Sequence, residues 1–262
     1  MNYEDPGGPG IPIVALHGTF GRGKTFAAVT RALSPDYRVI APDLRGHART
    51  RTQRTASTPQ PTTSPRAAWD GDFGREAFVG DVAAFIEGLG LAPALVVGHS
   101  LGGVTAYQLA ARRPELVRAL VVEDVCAVPG DAVLDVTGWP RRFSDRAAAE
   151  RFFAATPAPE YFLESVGDDG ELLFNPGDMM AVQRGNAGDW WDDWLAVTQP
   201  TLLLRATNSF LLDAAQAAEM IRRRPATELV TFDGTGHWIH REAPDAYAEA
   251  VRGFFRNYGL LG

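Results

Sequence analysis

Short apolar runs that alternate with helical stretches constrain the fold of this chain more than any other feature. The apolar runs lie at 11–16, 37–43, 94–100, 117–125, 200–206 and 227–234. Stretches with the apolar spacing of helices lie at 25–33, 75–90, 102–114 and 244–257. Because the runs are nearly continuous rather than alternating, they predict strands that are buried on both faces of a sheet. Strands separated by helices predict an α/β fold, doubly wound, with a mostly parallel sheet.

Two stretches interrupt this alternation. Residues 51–66 are rich in Thr, Pro and Ser, which predicts a mobile surface loop. Residues 129–195 contain no clear strand and predict a helical cap inserted into the fold. We therefore expect residues 1–128 and 196–262 to form the α/β core.

The predicted cap is rich in aromatic residues. It holds ten of the 26 aromatic residues in about a quarter of the chain, so some of them are expected to line a pocket beneath it. The others would hold the cap to the sheet. The candidates for the pocket are Trp139, Phe153, Trp191 and Trp194.

Charge and composition exclude several classes of function. The net charge of the 262-residue chain is −7, so a nucleic-acid partner is not expected. No apolar run reaches the ~18 residues that span a membrane, and the first ten residues lack the features of a signal peptide. Cys126 is the single cysteine and forms no intrachain disulfide. We expect a cytoplasmic protein without a membrane partner, and the sequence leaves the oligomeric state open.

The segment Gly98-His99-Ser100-Leu101-Gly102 is a G-x-S-x-G motif between an apolar run and a helical stretch. In that context the motif predicts a nucleophile elbow, a sharp turn that exposes the serine side chain. The glycines leave room where the strand and the helix nearly touch. The helix N-terminus supplies the free N–H of Leu101.

Four motifs in this order resemble those of the α/β-hydrolase superfamily. They are "LHG" (16–18), "APDLRGHART" (41–50), "VVGHSLGG" (96–103) and "GTGHWIHREAPDAYAEAVRGFF" (234–255). The resemblance runs over almost the whole chain, with Ala48 where glycine is usual. It implies that Ser100 is the nucleophile and His237 its general base, and that the acid follows the serine in the chain.

The position of the acid is open. Many members of the resembled family carry it after the strand that corresponds to 200–206, but Phe210 stands there. Some esterases and lactonases of this kind carry it 24 residues after the serine, where Asp124 lies. Glu123 is its neighbour, and two neighbours at a strand end point in opposite directions. Asp213 is a further candidate acid, or else a helix N-cap.

The resemblance also bears on the loop after "LHG". The stretch "GTFGRGKT" (18–25) matches the pattern of a phosphate-binding loop. In the resembled family this loop instead crosses above the nucleophile. The N–H of Thr19 or Phe20 would join that of Leu101 in an oxyanion hole, and we interpret the phosphate-loop match as accidental. His17, His47, His99 and His240 are expected to be structural.

These residues predict a serine hydrolase that cleaves an ester, lactone or thioester of a mainly apolar small molecule through an acyl-enzyme, with no metal and no organic cofactor. Two alternatives stay open. The same residues could serve acyl transfer, cyclisation or carbon–carbon cleavage, and the fold could also serve a receptor without catalysis.

Overall fold

The computed structural model describes residues 1–48, 50, 72–131 and 134–260, so the loop predicted at 51–66 lies outside the described residues. Within these described residues, seven strands form one sheet in the order β1-β3-β2-β4-β5-β6-β7. They are β1 (Tyr3–Glu4), β2 (Ile11–Leu16), β3 (Tyr37–Pro42), β4 (Ala94–His99), β5 (Val117–Glu123), β6 (Thr201–Ala206) and β7 (Thr227–Phe232). β1 is antiparallel to β3, and the other pairs are parallel. The predicted α/β fold class is confirmed.

Helices cover the sheet and fill the segment between β5 and β6. They are α1 (Ala27–Leu33), α2 (Arg75–Gly88), α3 (Leu101–Arg112), α4 (Arg146–Phe153), α5 (Pro159–Leu163), α6 (Pro176–Asn186), α7 (Trp191–Ala196), α8 (Ala214–Arg223), α9 (Ile239–Glu242) and α10 (Pro244–Asn257). Two 3₁₀ turns, Gly23–Phe26 and Pro114–Leu116, precede α1 and β5. No described helix is long and apolar enough to cross a membrane.

Two hydrophobic clusters, one on each face, account for the continuous apolar runs. In β4 the side chain of Val96 is buried in one cluster and those of Leu95 and Val97 in the other. In β5 Leu120 and Val121 divide in the same way. Because both faces of a central strand are covered, every position along it can be apolar.

The strand at the N-terminal edge of the sheet was not predicted from the sequence. In β1, Tyr3 and Glu4 pair with Pro42 and Ala41 of β3. Two residues lie below the usual length of a strand, so no alternation of apolar and polar residues could reveal β1 in the sequence.

The described residues of 129–195, the segment that the sequence predicts as a cap, include the helices α4, α5 and α6 and most of α7. The predicted boundary after residue 195 falls within α7. Trp194 of α7 is fully buried and packs edge-on against Tyr107 of α3, with 5.7 Å between the ring centroids. α7 therefore rests on a helix of the core, whereas α5 contacts the loop after β2, as described below.

Candidate active site

Ser100 occupies the turn between β4 and α3 in a backbone conformation that residues other than glycine rarely adopt, with φ 53° and ψ −116°. Its N–H donates to the Glu123 carbonyl at 3.0 Å and its carbonyl accepts from the Val104 N–H at 3.0 Å. Positive φ outside glycine costs of order 1–3 kcal/mol, which the surrounding hydrogen bonds and packing offset. The turn presents the side chain to the cavity described below.

The two glycines of the motif are required by close approach. A Cβ on Gly98 would lie 2.3 Å from the carbonyl oxygen of Gly102. A Cβ on Gly102 would lie 2.1 Å from the carbonyl oxygen of Leu16. Any side chain at either position would force β4, α3 and β2 apart and displace the serine turn.

His237 follows β7 and lies beside a carboxylate at the end of β5. Its Nδ1 donates to Asp124 Oδ2 at 2.7 Å, which leaves Nε2 as the nitrogen that can accept a proton. Asp124 is fully buried and His237 is 4% exposed. This is the arrangement by which a carboxylate fixes the orientation of an imidazole base.

Both oxygens of Asp124 are held in place. Oδ1 accepts from the Ala206 N–H at 3.0 Å, and Oδ2 accepts from the Ser209 hydroxyl at 2.5 Å as well as from His237. Asp124 has φ 52°, so its backbone is also in the left-handed region. Sequence reasoning missed Ser209, although its place beside the anomalous Phe210 was a usable clue.

The other two candidate acids have different contacts. Asp213 is an exposed N-cap of α8, where its Oδ1 accepts from the Gln216 N–H at 2.7 Å within a capping box. The Glu123 carboxylate is fully buried and accepts from the N–H and Nδ1 of His240 at 3.0 and 2.8 Å. Of the three candidate acids, only Asp124 contacts His237 among the described residues.

The remaining histidines are buried and hydrogen-bonded. His17 and His47 each accept a backbone N–H at Nε2, from Leu44 at 2.9 Å and from Phe20 at 3.2 Å. Burial lowers the pKa of His47 to about 4 and that of His17 well below its ordinary range. His99 donates from Nε2 to the His237 carbonyl at 3.0 Å, and burial likewise lowers its pKa. These bonds orient the loops around Ser100.

The loop after β2 is fixed from two sides. The carbonyls of Thr19 and Phe20 accept from the hydroxyls of Tyr161 at 3.0 Å and Ser165 at 2.5 Å, in and just after α5. The Phe20 N–H donates to His47 Nε2, so it is not available to another acceptor. The Thr19 N–H has no acceptor among the described residues, and the Leu101 N–H is the first of α3 and has no intrahelical acceptor.

The segment that resembles a phosphate-binding loop has different contacts from such a loop. Gly23 begins a 3₁₀ turn, and its N–H donates to Asp43 Oδ1 at 2.9 Å. The Thr25 hydroxyl donates to the Arg22 carbonyl at 2.9 Å, and Lys24 is exposed. A phosphate-binding loop offers free N–H groups to an anion. Here the Asp43 carboxylate already accepts the N–H of Gly23.

A cavity of about 410 Å³ opens above Ser100 and His237. Thr19 and Phe20 lie on its wall, and so do Gln183 and Asn186. Most of the remaining wall is apolar. Its apolar side chains include Val125, Leu134, Phe162, Phe210, Leu211 and Trp238. The cavity has the size and character of a site for an apolar small molecule.

The four aromatic residues that were predicted to line the pocket are not among those that line this cavity. Trp139 and Phe153 pack in an aromatic cluster with Phe162, at centroid distances of 5.2 and 5.6 Å. Trp191 lies under the Arg223 guanidinium at 3.9 Å, and Trp194 is buried against α3. They bury apolar area or stack on the surface, which the sequence could not distinguish from lining a pocket. Phe162, Phe210 and Trp238 are the aromatic side chains that line the cavity beside Phe20.

Possible metal ligands come together at one place among the described residues. Nitrogen or oxygen atoms of His99, Glu123 and His240 lie within 4.8 Å of one another, all buried. His240 Nδ1 bonds to Glu123 and His99 Nε2 to the His237 carbonyl. The other ring nitrogens, His99 Nδ1 and His240 Nε2, are buried and have no hydrogen-bond partner among the described residues. His99 Nδ1 abuts the backbone of Gly18, where a Cβ would come within 2.6 Å. The cluster is a buried His240–Glu123 pair with the His99 ring packed beside it.

Known proteins with similar sequences cover nearly the whole chain. A putative esterase/lipase of Haemophilus influenzae is 25% identical over 92% of this chain and 82% of its own length. The 2-(acetamidomethylene)succinate hydrolase of Mesorhizobium japonicum is 27% identical over 94% of this chain and 88% of its own. A crystal structure of an E-2-(acetamidomethylene)succinate hydrolase superposes with a TM-score of 0.82 at 26% identity, covering 97% and 94% of the two chains.

Together with the family match below, these relatives identify the chain as an enzyme, a hydrolase. The model of a protein family described as "Alpha/beta hydrolase family" matches residues 13–250. That match covers β3 to β7 and most of β2, and it includes Ser100, Asp124 and His237. The protein belongs to the alpha/beta hydrolase family.

Proposed function

We propose that this protein cleaves a carboxylic ester, including lactones and thioesters, of a mainly apolar small molecule through an acyl-enzyme on Ser100. The observation that carries the proposal is the 2.7 Å bond between His237 and Asp124, beside a cavity that Ser100 also lines. Residues 129–195 serve as the cap over this cavity.

The first half of the reaction acylates the serine. The Ser100 hydroxyl attacks the carbonyl carbon while His237 Nε2 takes its proton. Asp124 keeps Nδ1 protonated and stabilises the imidazolium that forms. His237 then gives the proton to the leaving alcohol or thiol.

The negative charge on the carbonyl oxygen needs donors that are in place before the reaction. Leu101 and Thr19 supply them from α3 and from the loop after β2. The other candidate in that loop is the N–H of Phe20, which donates to His47 and holds the loop in place instead. Each oxyanion donor contributes on the order of 10²–10³ in rate.

Water completes the reaction. It gives a proton to His237 and attacks the acyl-enzyme, which releases the acid and restores Ser100. The chemistry uses only side chains and backbone N–H groups of this chain.

The experiment is covalent labelling with a fluorophosphonate, with the modified peptide mapped by mass, beside a panel of 4-nitrophenyl esters. We expect labelling at Ser100, and loss of both label and turnover in Ser100→Ala. Asp124→Asn should slow labelling strongly, while Asp213→Asn should label like the parent. A folded parent that cleaves no ester and takes no label would refute the proposal.

A further inference from the structure

A buried arginine lies directly behind the cavity wall. Arg75 is the first residue of α2 and is 6% exposed. Its guanidinium donates to Gln108 Oε1 at 2.8 Å, Thr105 Oγ1 at 2.6 Å and Asn186 Oδ1 at 3.2 Å. All three partners are uncharged oxygens. No carboxylate of the described residues lies within ion-pair distance of it.

The charge of this arginine is compensated only at a distance. Asp193 is linked to it through Gln108, whose Nε2 donates to Asp193 Oδ2 at 2.9 Å, but Asp193 is already paired with Arg112. Burial lowers the pKa of Arg75 to about 10, which still leaves it charged at neutral pH. Arg112 is also paired with Glu76, so the two arginines and two carboxylates balance, but the Glu76 side chain is exposed to water and lies away from the Arg75 guanidinium's own hydrogen bonds.

The bond to Asn186 determines which way that carboxamide faces. A guanidinium only donates hydrogen bonds, so of the two polar atoms of the Asn186 carboxamide only the oxygen can pair with it. The amide nitrogen, Nδ2, therefore lies on the other side of the planar carboxamide. Asn186 lines the cavity at the end of α6, and its Nδ2 has no acceptor among the described residues.

We propose that Asn186, oriented by Arg75, is a specificity residue that donates a hydrogen bond to an acceptor oxygen of the substrate, remote from the bond that is cleaved. This inference rests on the proposed function and adds a polar group to its apolar substrate. The acceptor is a carboxylate or a neutral carbonyl. The positive charge behind the amide favours the carboxylate, while Asp131 on the wall is exposed and screened by water.

The test compares three acyl groups of equal chain length. The substrates are the 4-nitrophenyl esters of hexanoic acid, of adipic acid and of monomethyl adipate, which end in a methyl, a carboxylate and a neutral ester. Rates are corrected for uncatalysed hydrolysis. The readout is the kcat/KM of each acceptor-bearing ester relative to that of the hexanoate.

Asn186→Asp keeps the shape and the oxygen that faces Arg75, but it replaces the two N–H donors by a second acceptor oxygen. It should lower the adipate ratio about tenfold or more and the methyl adipate ratio about threefold. The matched control is Asn257→Asp on the exposed end of α10, which makes the same charge change away from the cavity. Asn186→Leu, which has no charge, separates loss of the donor from repulsion.

Unchanged ratios in both Asn186 variants would overturn the inference. So would a fall in the ratios that Asn257→Asp reproduces. If no ester is cleaved in a Ser100-dependent way, the proposed function fails, and binding then decides the inference. Calorimetry on Ser100→Ala should show that monomethyl adipate binds more tightly than methyl hexanoate, and that Asn186→Asp removes the difference. Equal affinities in Ser100→Ala would refute the subsite by itself.

Discussion

Two histidine–carboxylate pairs stand side by side at the end of β5, and only one of them reaches the cavity. His237 bonds to Asp124 at 2.7 Å, and His240 bonds to Glu123 at 2.8 Å. The carboxylates are neighbours in the chain and the histidines are three residues apart. His237 lines the cavity, whereas His240 is fully buried beside Phe26. The same chemical pair therefore serves two purposes, and access to the cavity separates them.

The buried pair Glu123–His240, called the sealed pair below, supports the pair Asp124–His237, which lies at the cavity. Glu123 accepts the His240 N–H, which fixes the start of α9 just after His237. Its carbonyl accepts the Ser100 N–H. His99, which contacts both histidine rings at centroid distances of 4.5 and 4.8 Å, bonds to the His237 carbonyl. In the proposed mechanism, the Glu123–His240 pair positions Ser100 and His237, and the Asp124–His237 pair carries out the proton transfer.

The largest expected difference between the pairs is in catalysis. Asp124→Asn should lower kcat for a 4-nitrophenyl ester about 10³–10⁴-fold, because the amide favours the wrong tautomer of His237. Glu123→Gln should lower it about tenfold at most, because the amide oxygen still accepts the His240 N–H. Steady-state kinetics on folded samples measures both. Asp213→Asn, a change from one good N-cap to another, is the control. Equal losses of kcat in the Asp124 and Glu123 variants would show that the two pairs do not differ in catalysis.

The second expected difference between the pairs is in stability, and here the larger effect is expected from the Glu123 pair. Glu123→Leu leaves the N–H and ring nitrogen of His240 buried without their partner, which should lower the free energy of unfolding by about 3 kcal/mol. Urea unfolding followed by tryptophan fluorescence measures this loss. Glu249→Leu, on the exposed face of α10, should stay within about 0.5 kcal/mol of the parent. A Glu123→Leu protein as stable as the parent would show that the sealed pair does not hold the fold.

A smaller effect is the loss of stability at acid pH that follows from the buried imidazole of His47. Since the folded pKa of His47 is about 4 against an ordinary 6.5, the unfolded chain binds the proton more strongly. Stability is therefore complete above about pH 6.5 and is lost as the pH falls toward 4. Between pH 7.5 and 5 the loss from His47 is about 2 kcal/mol. His17 and His99 act in the same direction.

Urea unfolding at the two pH values, with His47→Asn beside the parent, measures this contribution. The variant starts less stable, because its ring contacts are gone, but its stability should depend less on pH. An identical pH dependence in parent and variant would place the titrating groups elsewhere in the molecule.

Much of this architecture could be predicted from the sequence. Apolar runs located the six parallel strands, and the G-x-S-x-G motif located Ser100 because strand, turn and helix each leave a local pattern. His237 came from a family motif. The spacing of 24 residues favoured Asp124, but Glu123 and Asp213 stayed open, because the direction of a side chain at a strand end depends on the register of its neighbours.

The pocket could not be predicted in the same way. An aromatic residue that packs in a cluster, such as Phe153, has the same local pattern as one that lines a cavity, such as Phe162. The difference arises only when α4 and α5 meet. The orientation of Asn186 likewise depends on Arg75, more than a hundred positions earlier in the chain. Distant contacts of this kind leave no trace in local spacing.

In the proposed mechanism the acid is Asp124, at the end of β5, so the loop after β6 does not have to carry it. At the position in that loop where the resemblance predicted an acid, this chain has Phe210, which is 54% exposed and lines the cavity, with its ring centroid 5.0 Å from that of His237. The loop has one remaining obligation to the proton relay, the hydroxyl of Ser209. Substitution at Phe210, natural or in the laboratory, can therefore change the shape of the cavity for new molecules while Ser100, Asp124 and His237 keep their contacts.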